Sequence, residues 1–422
     1  MRFVLIFSAL LGTVCSSSAI DQRAPDYPAD LTVWPNRTSF ANSDPWIAAN
    51  HDRVREMRPR VLLVNFSNEH SADQLQKLAE RIIKCVAEGS RYHGYANPDA
   101  PAFLKYEVFK FVDLRDADRT KGNSRLIPLK DPSAKGGFNF KYKELYSDEF
   151  AKHYAVPDPQ KAGRFLPLAE LVERGYVHEV WFFDSGAVNI PPHVGGFESI
   201  ELKPVYDERF RRVEGKPVQS GNGGDPEMPW IGRSLRVGFI NASRGAGCFI
   251  ESLSHSFEGT AHGRAIPYLT RYFNEFGGFD LNTRYKLPFG SLYGAGLGKE
   301  KVRYPDPTTM IVPHKGQELR VEKYVAFAGN VHFPPNGRTH YDMDNREPVM
   351  STIEDWRIRS GPDGEDVAKI YTSDVLKPYR ELAPDCMGAW LIYWRQNIPG
   401  LDNRAKDDQG KPMRNWWPFL FY

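Results

Sequence analysis

Between residues 59 and 300, short apolar runs of strand type alternate with helical patterns, and this alternation restricts the possible folds more than any other feature. Val61-Leu-Leu-Val-Asn-Phe66 is a run of the buried-strand kind. Ser71 follows as an N-cap, and Leu75, Leu78, Ile82, Ile83 and Val86 recur at helical spacing until Gly89 stops the helix. A second strand is read over 103–114, a short helix over 166–174 closed by Gly175, a third strand over 177–183 and a fourth over 235–240. A further helix starts at about Cys248. The pattern predicts βαβ units and an α/β fold, a mostly parallel sheet with helices on both faces. Ligands of such sheets bind beyond the carboxyl ends of the strands. Polar residues collect at those ends: Asn65, Asp113 and Arg115, Asp184, Asn241 and Arg244.

The 422 residues allow two domains, or one large domain with an elaborated end. Hydrophobic residues at 41% support a proper core, which excludes a disordered, collagen-like or small disulfide-stapled chain. Lys and Arg total 55 against 53 Asp and Glu, so no basic surplus points to nucleic acid. Residues 20–58, rich in Pro, Asp and Asn, read as an extended leader, and 59–300 as the α/β domain. Within that domain, 115–160 reads as charged surface loops. From 301 to 422 the texture turns to Pro, Gly and aromatics, with a strand-like run at 324–328 and a helix at 387–396. This last third is read as a region packed on the α/β domain.

Residues 1–19 have the form of a secretory signal. Arg2 supplies the n-region and Phe3 to Leu11 the apolar stretch, with Ser17 and Ala19 placed for a cut before Ile20. Secretion is expected, with no membrane attachment after cleavage, since no later stretch reaches about 18–20 apolar residues. Cys85, Cys248 and Cys386 then remain and allow at most one intramolecular disulfide. Asn36-Arg-Thr, Asn65-Phe-Ser and Asn241-Ala-Ser fit the glycosylation sequon. The last two fall at strand ends, and the set is read as chance matches.

The segment Gly245 to His262 carries the most chemistry. On a helix, Glu251, His255, Glu258 and His262 fall within about 60° of arc, with Phe249, Ile250, Leu253, Phe257 and Ala261 on the other side. A carboxylate and an imidazole one turn apart can reach one divalent ion, possible zinc among them. The competing interpretation is a solvated polar face. Gly259 threatens to end the helix early, which leaves His262 the weakest member. A second segment, Gly329-Asn-Val-His332-Phe-Pro-Pro-Asn336-Gly-Arg-Thr-His340-Tyr341-Asp342, offers further ligands, with Pro334-Pro335 fixing the backbone after His332.

Other chemistries use the same region. Cys248 follows a strand and a Gly-x-Gly turn at a helix start, as a thiolate nucleophile would. Glu198 with Glu251 or Glu258 could form the carboxylate pair of a glycoside hydrolase. Nine Trp would suit sugar stacking, in such an enzyme or in a non-catalytic glycan-binding protein.

Several short motifs resemble a family of uncharacterised secreted proteins of bacteria and fungi. They are Glu179-Val-Trp181, Gly196-Phe-Glu198-Ser199, Gly238-Phe-Ile-Asn241 with Arg244-Gly245, and His255-x-x-Glu258. Asn330-Val-His332-Phe-Pro-Pro-Asn336 with Tyr341-Asp342, and Asn415-Trp-Trp417, complete the set. The family pattern has Glu at the position of Cys248 and His at that of Glu251. The first difference counts against Cys248 as a nucleophile, and the second exchanges one metal ligand for another. The resemblance implies no particular activity. The leading expectation is a metal-dependent hydrolase acting on a small-molecule, peptide or glycan substrate. Its ligands are Glu251, His255 and His332, with Glu258 a ligand or general base. Glu198, Asn241 and Arg244 orient substrate or stabilise negative charge.

Overall fold

The computed structural model describes residues 25–39, 41, 45–118, 120–130, 140–186, 199–359 and 367–422. The signal segment and Glu198 lie outside them. Six strands form the central sheet: β1 (Arg60–Asn65), β2 (Glu107–Asp113), β3 (Glu179–Asp184), β4 (Ile200–Tyr206), β5 (Arg212–Gly221) and β6 (Leu235–Asn241). Their spatial order is β2-β1-β3-β6-β4-β5. The first four in that order run parallel, and β4 and β5 add an antiparallel pair at one edge. The protein is α/β with a mostly parallel sheet. The β4–β5 pair escapes the sequence reading because Glu201, Lys203 and Pro204 interrupt its apolar pattern.

Helix α1 (Ala72–Gly89) begins with a capping box. Ser71 Oγ accepts from the Gln74 N–H and Gln74 Oε1 from the Ser71 N–H. Strand side chains alternate between two cores. Val61, Leu63, Trp181, Phe183 and Ile240 enter one, which also takes Leu75, Ala79 and Ile82 of α1. Leu62, Val64, Val180, Phe182 and Val237 enter the other. The first core also receives α2 (Ala246–His262), α3 (Pro267–Gly277) and α4 (Gly388–Asn397).

Three expectations need correction. The 115–160 segment is more than surface loop, because Tyr142, Leu145, Phe150 and Tyr154 are buried in the second core. The leader is packed: Trp34, Ile47 and His51 are buried, and Val33–Trp34 pairs with Glu56–Met57. The run at 324–328 makes only an isolated bridge, Ala326 to Ser351.

The tryptophans are mainly structural. Trp34, Trp181, Trp390, Trp394, Trp416 and Trp417 are fully buried, so they offer no sugar-stacking surface. Asn36 and Asn65 are buried too, and their amides donate to the Val33 carbonyl and to Asp113, as chance sequon matches would. Among the described residues, no helix is long and apolar enough to cross a membrane.

Candidate metal centre

Helix α2 carries the site, and two close approaches set its path. At Gly247 a Cβ would come within 2.1 Å of the Asp385 carbonyl oxygen. Gly259 does not end the helix, which continues to His262. A glycine is needed there because a Cβ would stand 2.6 Å from the Gly221 nitrogen at the end of β5. The first turn has no side-chain cap of its own. Instead the Asp385 carboxylate accepts the Gly247 and Cys248 N–H groups, each at 3.0 Å, where a negative charge also suits the helix dipole.

A disulfide joins Cys248 to Cys386 at the same junction. Cys248 is therefore no free thiolate, and the nucleophile reading falls. The remaining cysteine, Cys85, is buried, and burial pushes its thiol up to about 12.

The polar face of α2 is turned inward and not toward solvent. His255 and Glu258 are buried, and Glu251 and His332 are partly so. Glu251 Oε1, His255 Nε2 and His332 Nε2 form a triangle with edges of 2.9, 3.0 and 3.2 Å. Hydrogen bonds alone cannot serve all three edges. If both rings aim an Nε2–H at Glu251, the ring-to-ring edge has two donors and no acceptor. One cation could meet all three atoms: ligands about 2.0–2.2 Å from a shared ion stand about 3 Å apart at right angles and about 3.3–3.6 Å apart at tetrahedral ones, so the triangle would open by a few tenths of an ångström around zinc.

Behind the triangle, His255 Nδ1 meets Glu258 Oε2 at 2.5 Å. Glu258 Oε1 accepts from the Val331 N–H and, at 3.3 Å, from the Tyr293 hydroxyl. Glu258 therefore lies on the far nitrogen of His255, away from the triangle. Glu258 is thus in contact with the His255 ring and not with the three atoms of the triangle.

The electrostatics favour positive charge between these acids. Burial works to raise the Glu251 carboxyl, but the bonds from His255 and His332 outweigh it and bring it to about 2. Burial works to lower the His255 imidazole, yet its bonds to Glu251 and Glu258 raise it to about 10.

His332 reaches the site on a tightly tied loop. Asn330 Oδ1 accepts from the His332 and Phe333 N–H groups, and its amide donates to the Gly277 carbonyl. From α4, Trp390 and Trp394 donate to the Asn330 and Gly329 carbonyls. His340 Nδ1 lies 3.3 Å from His332 Nδ1, and the Tyr341 ring centroid lies 4.4 Å from that of His332.

Glu251 also lines a cavity of ≈ 510 Å³, together with Asn241, Arg244, Phe249, Tyr341, Cys386 and Met387. The structure thus brings together Glu251, His255, His332 and Glu258, with Asn241 and Arg244 on the adjoining wall. His262 is set apart, exposed, with its ring on Phe279. Of the other strand-end polar groups, Asp184 accepts from the Gly186 N–H, and the remaining three serve one another. Asn65 donates to Asp113, and Arg115 forks onto the same carboxylate. Sequence reasoning missed Asp385 and Tyr293, which no local pattern marks, and left the pairing of Cys386 open. It missed a role for Tyr341 although that residue belongs to the His332 segment. Comparison with protein-family models, with curated proteins and with solved structures finds no match for this chain.

Proposed function

We propose that the chain is a secreted metal-dependent hydrolase in which Glu251, His255 and His332 hold one divalent ion, zinc in the first instance. The observation that carries this reading is the triangle of three lone-pair atoms, drawn from segments 77 residues apart and set at the wall of a cavity. Two imidazoles and one carboxylate leave coordination positions open, as hydrolytic sites do. A divalent ion bound there would acidify a water and polarise a substrate carbonyl near neutral pH.

The chain's own residues do the rest. Glu258 accepts the Nδ1–H of His255, which turns the Nε2 lone pair toward Glu251 and His332. The Val331 N–H and the Tyr293 hydroxyl hold Glu258 in that orientation. Asn241 and Arg244 stand on the cavity wall, where a donor and a cation can meet negative charge on the substrate. In this reading the sheet, covered by helices on both faces, and the C-terminal region packed on it are the scaffold that joins α2 to the His332 loop. The Cys248–Cys386 disulfide supports an oxidising, extracytoplasmic setting.

Elemental analysis of the purified mature protein, without added metal, tests this directly beside His255→Ala. The expected result is about one zinc or similar ion per chain, lost in the variant. A wild-type protein free of metal sinks the proposal. Iron in place of zinc would turn the same donor set toward oxidative chemistry.

A further inference from the structure

The cavity beside the triangle has a charge and a texture of its own. Arg244 stands on its wall and is exposed. Other arginines of the chain, such as Arg236, Arg338 and Arg357, meet carboxylates. Among the described residues, no acid pairs with Arg244, whose guanidinium donates only to the Sγ of Cys386, a disulfide sulfur without charge. The nearby acids are engaged elsewhere: Asp385 by the first turn of α2, and Glu251 by two imidazoles. An arginine free on a cavity wall presents a planar fork that matches a carboxylate. The same wall is apolar at Phe239, Phe249 and Met387. A volume of ≈ 510 Å³ suits a small molecule and leaves little room for a folded polymer.

We propose that this cavity takes a small amphipathic acid, its carboxylate on Arg244 and its apolar body against Phe249 and Met387. The inference deepens the hydrolase reading and rests on it for the reaction, because Glu251 belongs to both the cavity wall and the triangle. The bond to be hydrolysed then lies at the Glu251 end of the substrate, and the acid group at the Arg244 end.

Calorimetric titration with phenylacetate and with its neutral isostere phenylacetamide tests the assignment on the protein as purified. Wild type is expected to bind phenylacetate at least about ten-fold more tightly than the amide. Arg244→Gln is expected to bring the two within about two-fold, with metal content and thermal midpoint unchanged. Arg244→Lys, which keeps the charge without the fork, should retain part of the preference. Equal binding of both probes by wild type, or binding of neither, overturns the proposal. So does a preference that survives in Arg244→Gln, which would place the carboxylate on the metal. Metal analysis of the same samples separates the two readings. Metal-free protein that still prefers phenylacetate through Arg244 keeps this inference and sinks the hydrolase. Metal-bearing protein without the preference does the reverse.

Discussion

Two clusters of buried charge lie on the same side of the sheet and are built on opposite plans. In the first, Glu179 of β3, Arg236 of β6 and Glu201 of β4 stand directly opposite one another in register, and Lys203 follows on the face of Glu201. Arg236 lies between the two carboxylates at 3.1 and 3.5 Å, and Lys203 reaches Glu201 at 3.1 Å. Tyr106 and Trp181 donate to Glu179, and Lys203 donates to the Leu420 carbonyl. Signs alternate and each acid meets donors. In the second cluster, Glu251 Oε1, His255 Nε2 and His332 Nε2 converge on one point, and hydrogen bonds cannot serve all three edges of their triangle. Burial of charge is common to both and distinguishes neither. What separates the two is geometry: the first alternates in sign along the ladder, with only Arg236 Nε left without a partner, whereas the second brings three atoms of ligand type to one point.

The sheet ladder offers the largest effect. Arg236→Ala leaves two buried carboxylates, with Lys203 the remaining ion-pair partner of Glu201 alone, and should cost about 3–5 kcal/mol of stability by chemical denaturation. Removing the charge on both sides, in Arg236→Met with Glu179→Gln, should recover most of that loss. If the proposed site holds a metal, the folded fraction of either variant should bind it as wild type does. Loss of metal with little loss of stability would show that the two clusters are not separate in function.

Asp184 sharpens the contrast, because it is a buried acid of a third kind. It sits at the end of β3 with its carboxylate bonded to the Gly186 N–H. Burial raises it to about 7, the bonds from Gly186 and Asn123 oppose that, and Glu69 adds to the rise. Its folded value stands above the unfolded value of about 3.9, so the folded state binds the proton more tightly. The stability this supplies is complete below about pH 4 and is lost as pH rises through about 7. Asp184→Asn keeps the shape and removes the titration. Between pH 4 and 8 its stability relative to wild type should improve by up to about 4 kcal/mol. Parallel stability curves for the two proteins would show that Asp184 is not held neutral.

How much of this was legible depends on the range of the interaction. Val61–Phe66, the Ser71 cap and the stop at Gly89 are local signals, and β1 and α1 lie within a residue of where they point. The polar stripe of α2 is local too, and it named Glu251, His255 and Glu258. Whether the stripe met solvent or protein was not local: Tyr293, Val331 and His332, from segments distant in sequence, are what meet it. Nothing local marks Glu201 and Lys203 as buried, because Arg236, which joins Glu201 to Glu179, is brought there by strand order and not by spacing. Asp385 caps α2 from 138 residues away. No window of sequence holds that information.

The smallest effect tests the finest point of the comparison, the assignment of Glu258 to the far nitrogen of His255. If Glu258 were a ligand, Glu258→Gln would strip the metal as His255→Ala does. If it were the general base, the variant would keep its metal at full affinity and lose turnover. As a positioning residue it should do neither. The one oxygen of Gln can still accept from His255 Nδ1–H, but without charge, and its NH2 then faces the Val331 N–H, so the ring keeps an acceptor but loses basicity and some of its support. Metal affinity, measured by competition with a chelator, should then fall about 10–100-fold, while metal still binds at one per chain when supplied in excess. Glu258→Ala, which removes the acceptor altogether, should fall further. The ordering of these two variants, more than the size of either, tells an oriented imidazole from one that finds its own way to the ion.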